Sequence, residues 1–349
     1  MTYKNKKIYR LLSIILCLIF ITTACTPKST VPQIVEKDSF VLGTLGSIRV
    51  YATSEKKGNE VIEKAYKRIT EIENTMSTSI EGSDIYKVNL NAGKAAVEVK
   101  EETVSVIKKA IEYKSLTYDV FNIGVGRLIQ LWGIGKDWQK VPTADEIQAA
   151  QEHIDITQLE IEGNRVMIKD PEMLIDLGGI AKGYAVDEAA RVLRENGVTS
   201  GFVNMGGDVY AIGSKPDGSP WNVGIQNPEI GVGGIIAKIG ISDESIVTSG
   251  DYERYFVENG VHYHHIIDPK TGAPTRNELS SVTILSKKSI DGDVLSTAVF
   301  VMGLEEGLRF VEGLEDIEAV LVTKDKKMYA TSGVVNRVEV LDPQYVLKK

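Results

Sequence analysis

The sequence predicts an α+β fold of mixed, mainly antiparallel strands with flanking helices, as one large domain or as two lobes with a site between them. Three observations lead there. Stretches of strand period and of helical period follow one another in mixed order, not in strict alternation. Several apolar runs are joined by short turns rich in glycine or asparagine. No linker composition interrupts the chain after residue 36, and 349 residues suffice for a large core.

The N-terminus reads as an address. Lys4, Lys6, Lys7 and Arg10 precede an apolar run, Leu11 to Ile21, that is too short to span a bilayer comfortably. Thr22-Thr23-Ala24-Cys25 follows, the pattern of a lipoprotein signal peptide, although an apolar residue is usual where Thr22 stands. A plain secretory signal or an uncleaved anchor is the alternative. The expected division is therefore a signal peptide over 1–24, a lipid-anchored tether over 25–36 beginning at a lipidated Cys25, and the folded domain over 37–349. The expected location is the extracytoplasmic face of the cell membrane. Cys17 and Cys25 are the only cysteines, so the body has no disulfide, no thiol nucleophile and no cysteine metal site. A net charge of -8, with no basic run beyond the leader, argues against a nucleic-acid partner.

In the body, Ser39 to Ala52 alternates around Gly43 and predicts a strand pair or a bent strand. Val61, Ile62, Ala65, Ile69, Ile72 and Met76 mark an amphipathic helix. Ser77 to Asn91 reads as loop, and Glu101 to Tyr113 as a second helix. Thr117 to Gly135 carries Phe121, Leu128, Leu131 and Trp132 among glycines, which suits a buried lining. Thr143 with Glu146 is a capping box opening a short helix. Leu159 to Ile168 is a hairpin across Gly163-Asn164. Strands are expected over Gly201 to Gly213 about a Gly206-Gly207 turn, then Trp221 to Gln226, Ile235 to Ile241, Ser245 to Gly250, Val261 to Ile267, Val282 to Leu285, Ala319 to Thr323 and Met328 to Ala330. A helix over Asp293 to Phe310 breaks near Gly303.

Ile175 to Asp187 predicts a strand end, a Gly178-Gly179 turn and a helix opening. Lys182 falls in the first turn, where a positive charge opposes the helix dipole unless an anion is near. A tight structural turn with a surface lysine fits the same residues. His262, His264 and His265 cluster in one strand, yet no acid-rich helix accompanies them, so one of them as a proton carrier or phosphate partner is a better reading than a metal site. Asp293 and Thr297 are four apart at a helix start and share a face, which suits Mg²⁺; a capping Asp beside a solvated Thr is the plainer alternative. Neither a phosphate-binding P-loop nor a Gly-x-Ser-x-Gly elbow occurs.

Taken in order, eight segments resemble the ApbE family of FAD:protein FMN transferases. They are Leu42-Gly-Thr44, Met76-Ser-Thr78, Phe121-Asn-Ile with Leu131-Trp-Gly133, Asp176 to Asp187, Val203 to Asp208, Thr248 to Tyr252, His264 to Gly272 and Asp293 to Thr297. The resemblance covers the body from about residue 38. It implies a single T-fold-like domain, Mg²⁺ as cofactor, and FAD as substrate. FMN would be linked through a phosphoester to a Ser or Thr of an acceptor protein, plausibly an extracytoplasmic redox subunit, with release of AMP. It places the metal at the Gly179 carbonyl, Asp293 and Thr297. It places FAD against Leu42, Ser79, Val120, Phe121, Asn122, Asp176, Lys182 and Ile267, and ties transfer to His265. A phosphate of FAD would then be the anion beside Lys182. Ser79, Asn122 and Arg127 depart from the aromatic, Asp and Pro that are frequent in the family. Two other activities use the same residues: an FAD pyrophosphatase giving FMN and AMP, and a lipoprotein that binds FAD without turnover.

Overall fold

The structure, a computed structural model, describes residues 32–229 and 233–348. The signal peptide and Cys25 lie outside the described residues. The organising element is a nine-stranded sheet whose strands, labelled here β1 to β9, neighbour one another in chain order. They are Gln33–Val41, Thr44–Ala52, Gly201–Met205, Asp208–Ile212, Ser245–Gly250, Leu279–Ser286, Glu318–Thr323, Lys327–Ala330 and Val346–Lys348. Every neighbouring pair is antiparallel except β8 with β9. This bears out the α+β expectation. β1 already begins at Gln33, inside the stretch read as tether.

Eight helices accompany the sheet among the described residues: α1 Glu55–Met76, α2 Asp84–Leu90, α3 Glu101–Leu116, α4 Gly126–Trp132, α5 Ala144–Gln151, α6 Ala181–Glu195, α7 Ser289–Met302 and α8 Leu304–Glu312. The excursion from β2 to β3 carries α1 to α6 and a small sheet that includes the expected hairpin, Leu159–Glu162 with Arg165–Ile168. The Thr143 capping box is present in full.

Strand period decides where the core lies. In β4 every residue is buried: Tyr210 and Ile212 join the helix-side core, while Val209 and Ala211 join a second core under the sheet Trp221–Gln226, Ile235–Ile241 and Val338–Val340. β6 is likewise buried along its whole length. Each fully buried Ile or Val in such layers contributes about 1.5–3 kcal/mol. α7 runs through the helix-side core and has apolar residues on all sides, as a helix surrounded by protein should. It packs on α6, α8, β5 and β6.

Three local expectations are corrected. Ser77 to Asn91 contains α2, whose N-cap Ser83 accepts the Tyr86 N–H at 3.0 Å. Thr117 to Gly135 contains α4, closed by Gly133 in the left-handed region at φ 56. The segment before Gly178 is not a strand. Its backbone is held by the Ile123 carbonyl on Asp176 N–H at 2.8 Å, and by Asn89, which both donates to and accepts from Ile175 at 2.9 Å. Those partners are loop and side chain, so no ladder forms.

Candidate functional site

The Gly178-Gly179 turn has local causes. One Asp176 carboxylate oxygen curls back to accept the Gly178 N–H at 2.6 Å, and a Cβ on Gly178 would lie 2.8 Å from that oxygen. A Cβ on Gly179 would lie 3.1 Å from the Phe121 ring. Asp176 is pushed upward in pKa by burial, against the Gly178 N–H, the Thr78 hydroxyl and the Arg254 charge.

Two residues on, α6 begins at Ala181 with Ile180 as an N-cap that offers no side-chain bond. The orphan N–H groups of that first turn are met from another element. The Asp293 carboxylate of α7 accepts the Gly183 N–H at 2.8 Å, and the Lys182 N–H is also directed at it. The reverse holds too. Asp187 of α6 accepts the Ser289 and Ile290 N–H groups at 2.7 and 3.0 Å, capping α7. The two helices therefore cap each other. Gly183 makes this approach possible, since a Cβ there would fall 2.4 Å from the Ser289 carbonyl oxygen. Asp293 lies in the second turn of α7, not at its start, and it caps the neighbouring helix.

Thr297 lies one turn along α7 from Asp293, and its hydroxyl is 3.4 Å from that of Ser249 on β5. Asp293 is 4% exposed and Asp208 is fully buried. Lys182 makes its ion pair with Asp208, so the anion expected beside Lys182 is supplied by the protein itself. Burial drags the Lys182 ammonium down in pKa, but Asp208 and Asp293 together push it above the usual lysine range. Burial raises both carboxylates. The second oxygen of Asp208 is buried without a hydrogen-bond partner among the described residues. Two buried carboxylates thus face one ammonium.

The FAD-facing candidates divide. Leu42 sits at the β1–β2 hairpin tip in the left-handed region at φ 53, which is uncommon for a residue other than glycine. Tyr118 and Asp119 are also left-handed, at φ 54 and 69, and they turn the chain from α3 into buried Val120, Phe121 and Asn122. The Asn122 amide is occupied within the loop: its oxygen accepts the Gly124 N–H at 2.8 Å and its nitrogen donates to the Ile154 carbonyl at 3.0 Å. Ser79 is exposed just beyond α1. The Ile267 side chain packs with Leu128, Trp132 and Phe256 in a satellite core, so its free contribution to a ligand is backbone. Arg127 is ion-paired to Glu172.

The three strand histidines separate. His264 is buried, bonded to the Thr275 carbonyl at 2.7 Å, and lowered by burial to about 4. His262 stacks on Tyr255 with ring centroids 4.4 Å apart. His265 is half-buried, its backbone N–H bonded to the Arg254 carbonyl at 3.0 Å. Burial first, then the positive charge of Arg254, lowers it to about 3, so the ring is neutral. Among the described residues no group of three or more His, Cys, Asp or Glu side chains is placed to hold a metal.

Sequence reasoning missed Asp208 and Arg254. Asp208 stood in a quoted segment without a role. Arg254 lies two residues beyond another, and its charge acts on Asp176, Lys182 and His265 alike.

Comparison with known proteins gives one answer. The profile of the ApbE family matches residues 42–321. A protein of Treponema pallidum (strain Nichols), described as an FAD:protein FMN transferase, is 32% identical over 365 residues, covering 99% of this chain and 100% of its own length. The crystal structure of the ApbE protein of Thermotoga maritima superposes with a TM-score of 0.81 at 35% identity, covering 87% of this chain and 99% of that one. The flavin transferase ApbE of Vibrio cholerae gives a TM-score of 0.75 at 33% identity, covering 86% and 98%.

Proposed function

The chain belongs to the ApbE family, and from that premise we propose how its residues move FMN from FAD onto a protein. It is an enzyme, and the reaction is transfer of FMN from FAD to an acceptor protein. In our reading the acceptor atom is a serine or threonine hydroxyl, the new bond is a phosphoester, and AMP leaves.

One observation carries this reading: the mutual capping of α6 and α7 sets Asp293 against the start of α6, two residues past Gly179, with Thr297 a turn away. A carbonyl, a carboxylate and a hydroxyl are hard oxygen donors, the set that suits Mg²⁺ when phosphate oxygens and waters complete the shell. The charge balance points the same way, since two buried carboxylates are met by one ammonium. When bound, the cation would neutralise charge on the pyrophosphate of FAD.

The chain's own residues do the rest. Asp176, one oxygen of which is tied to Gly178, would hydrogen-bond the nucleoside end of FAD through its carboxyl group. Leu42, Val120, Phe121 and Asn122 would bound the ring site, and the Ile267 backbone and Ser79 would contribute at its rim. His265 would accept the proton of the acceptor hydroxyl. Its basicity is held down first by burial, then by Arg254 and more weakly by Lys182, and an anionic pyrophosphate beside those cations would offset the electrostatic part. Asp293→Ala and Thr297→Ala test the cation site. In a transfer assay with FAD, Mg²⁺ and an acceptor peptide, Asp293→Ala should lose at least about 100-fold in rate, as removal of a key electrostatic group does. A rate within twofold of wild type would remove Asp293 from the site.

We also propose that the leader and Cys25 tether the enzyme to the extracytoplasmic face of the membrane, where its acceptors would be exported redox proteins. Among the described residues no helix is long and apolar enough to cross a membrane. Replacing Cys25 by Ser should release the protein from the membrane fraction.

A further inference from the structure

Resting on the cation site just described, we propose that Asp208 is a positioning residue: it holds the Lys182 ammonium away from Asp293, so that the Asp293 carboxylate stays free to take a divalent cation.

Lys182 has Asp208, Asp293 and, less strongly, Glu253 within electrostatic reach, and its ion pair is with Asp208. Lysine is a flexible stem carrying a point charge, so the ammonium goes to whichever carboxylate is held nearest. Asp208 is held firmly. It is the first residue of β4, paired with Met205 on β3 and Val247 on β5. The turn before it, Gly206-Gly207, has φ of 57 and 98, so glycine permits the sharp return that sets the carboxylate under α6. Asp208 is fully buried, and its second oxygen has no hydrogen-bond partner among the described residues. Asp293, by contrast, spends hydrogen-bonding capacity on the α6 backbone. An ammonium and a divalent cation compete for the same carboxylate, and the separation of roles between Asp208 and Asp293 removes that competition. Without Asp208, a half-buried ammonium would have Asp293 as its strongest remaining partner.

The test is calorimetric titration of Mg²⁺ alone into the wild-type chain, Asp208→Asn, Lys182→Met, the double variant and Asp293→Asn. Asp208→Asn should weaken Mg²⁺ binding about 10–100-fold, the usual cost of removing a group that orients a metal ligand. The double variant, with no ammonium to misplace, should return to within about threefold of wild type. Lys182→Met should bind at least as tightly as wild type. Wild-type affinity in Asp208→Asn overturns the proposal, and so does a double variant as weak as that single variant, which would make Asp208 itself a ligand. Should Asp208→Asn fail to fold, Asp208→Ser takes its place, alone and combined with Lys182→Met, under the same criteria. If the wild type binds and Asp293→Asn does not, the cation site stands whatever Asp208 does. If the wild type takes up no Mg²⁺, the cation site falls and this proposal with it.

Discussion

Replacing Gly183 by alanine sets two physical effects against each other. Inside an isolated helix, Gly→Ala stabilises by about 1 kcal/mol. Here the new Cβ would lie 2.4 Å from the Ser289 carbonyl oxygen and 2.7 Å from the Asp293 Cβ, both on the neighbouring helix. α6 and α7 would have to part. Overpacking of this kind costs about 1–3 kcal/mol. Parting also stretches the 2.8 Å bond from Gly183 N–H to the Asp293 carboxylate, a bond to a charged group worth about 1.5–3 kcal/mol. Subtracting the propensity gain leaves a net loss of about 1.5–5 kcal/mol. Urea unfolding should show a lower midpoint with an unchanged slope. Transfer activity should fall as well, because Asp293 moves with α7. A variant as stable as wild type, or more stable by the propensity gain, would refute the close mutual capping of the two helices.

His264→Phe should flatten the acid limb of stability. Burial lowers His264 from 6.5 to about 4, so its contribution is complete above the unfolded value of 6.5 and is lost as pH falls towards the folded one. At about 1.36 kcal/mol per pH unit, wild type should lose about 2 kcal/mol more than the variant between pH 7 and pH 5; equal losses in urea titrations would contradict this. Asn122→Asp restores the residue frequent in the family, yet it should destabilise by about 1–3 kcal/mol, because a carboxylate cannot donate to the Ile154 carbonyl. An unchanged unfolding midpoint would show that this bond is dispensable. Thr143→Ala should cost about 1 kcal/mol through loss of the capping box, read in the same experiment.

Features written in adjacent residues were legible in the sequence. The hairpin about Gly43, the Thr143 cap and the helix break at Gly303 all follow from local turn and cap chemistry. Short helices were less so: α2 and α4 have seven residues each, too few for a 3.6-residue period to stand out from loop. The strand expected before Gly178 failed because apolar residues suit any buried extended segment, and its partners are loop groups and Asn89. In the site, the spacing of Asp293 and Thr297 could be read directly. Its larger logic could not. Asp293 caps a helix 110 residues away and Lys182 pairs with a strand residue 26 positions on. Contacts between elements leave no period in either one. The lysine did carry a hint, since its place in the first turn of a helix called for an anion; only the fold could say that the anion is Asp208.

One product balance separates transfer from hydrolysis. The chain without its leader is incubated with FAD, Mg²⁺ and an acceptor peptide bearing a single serine or threonine, and flavin bound covalently to the peptide is measured against AMP. Transfer yields the two in equal amounts, and both should be lost when the hydroxyl residue is replaced by alanine. AMP accompanied by free FMN, at the same rate with or without that hydroxyl, would contradict it.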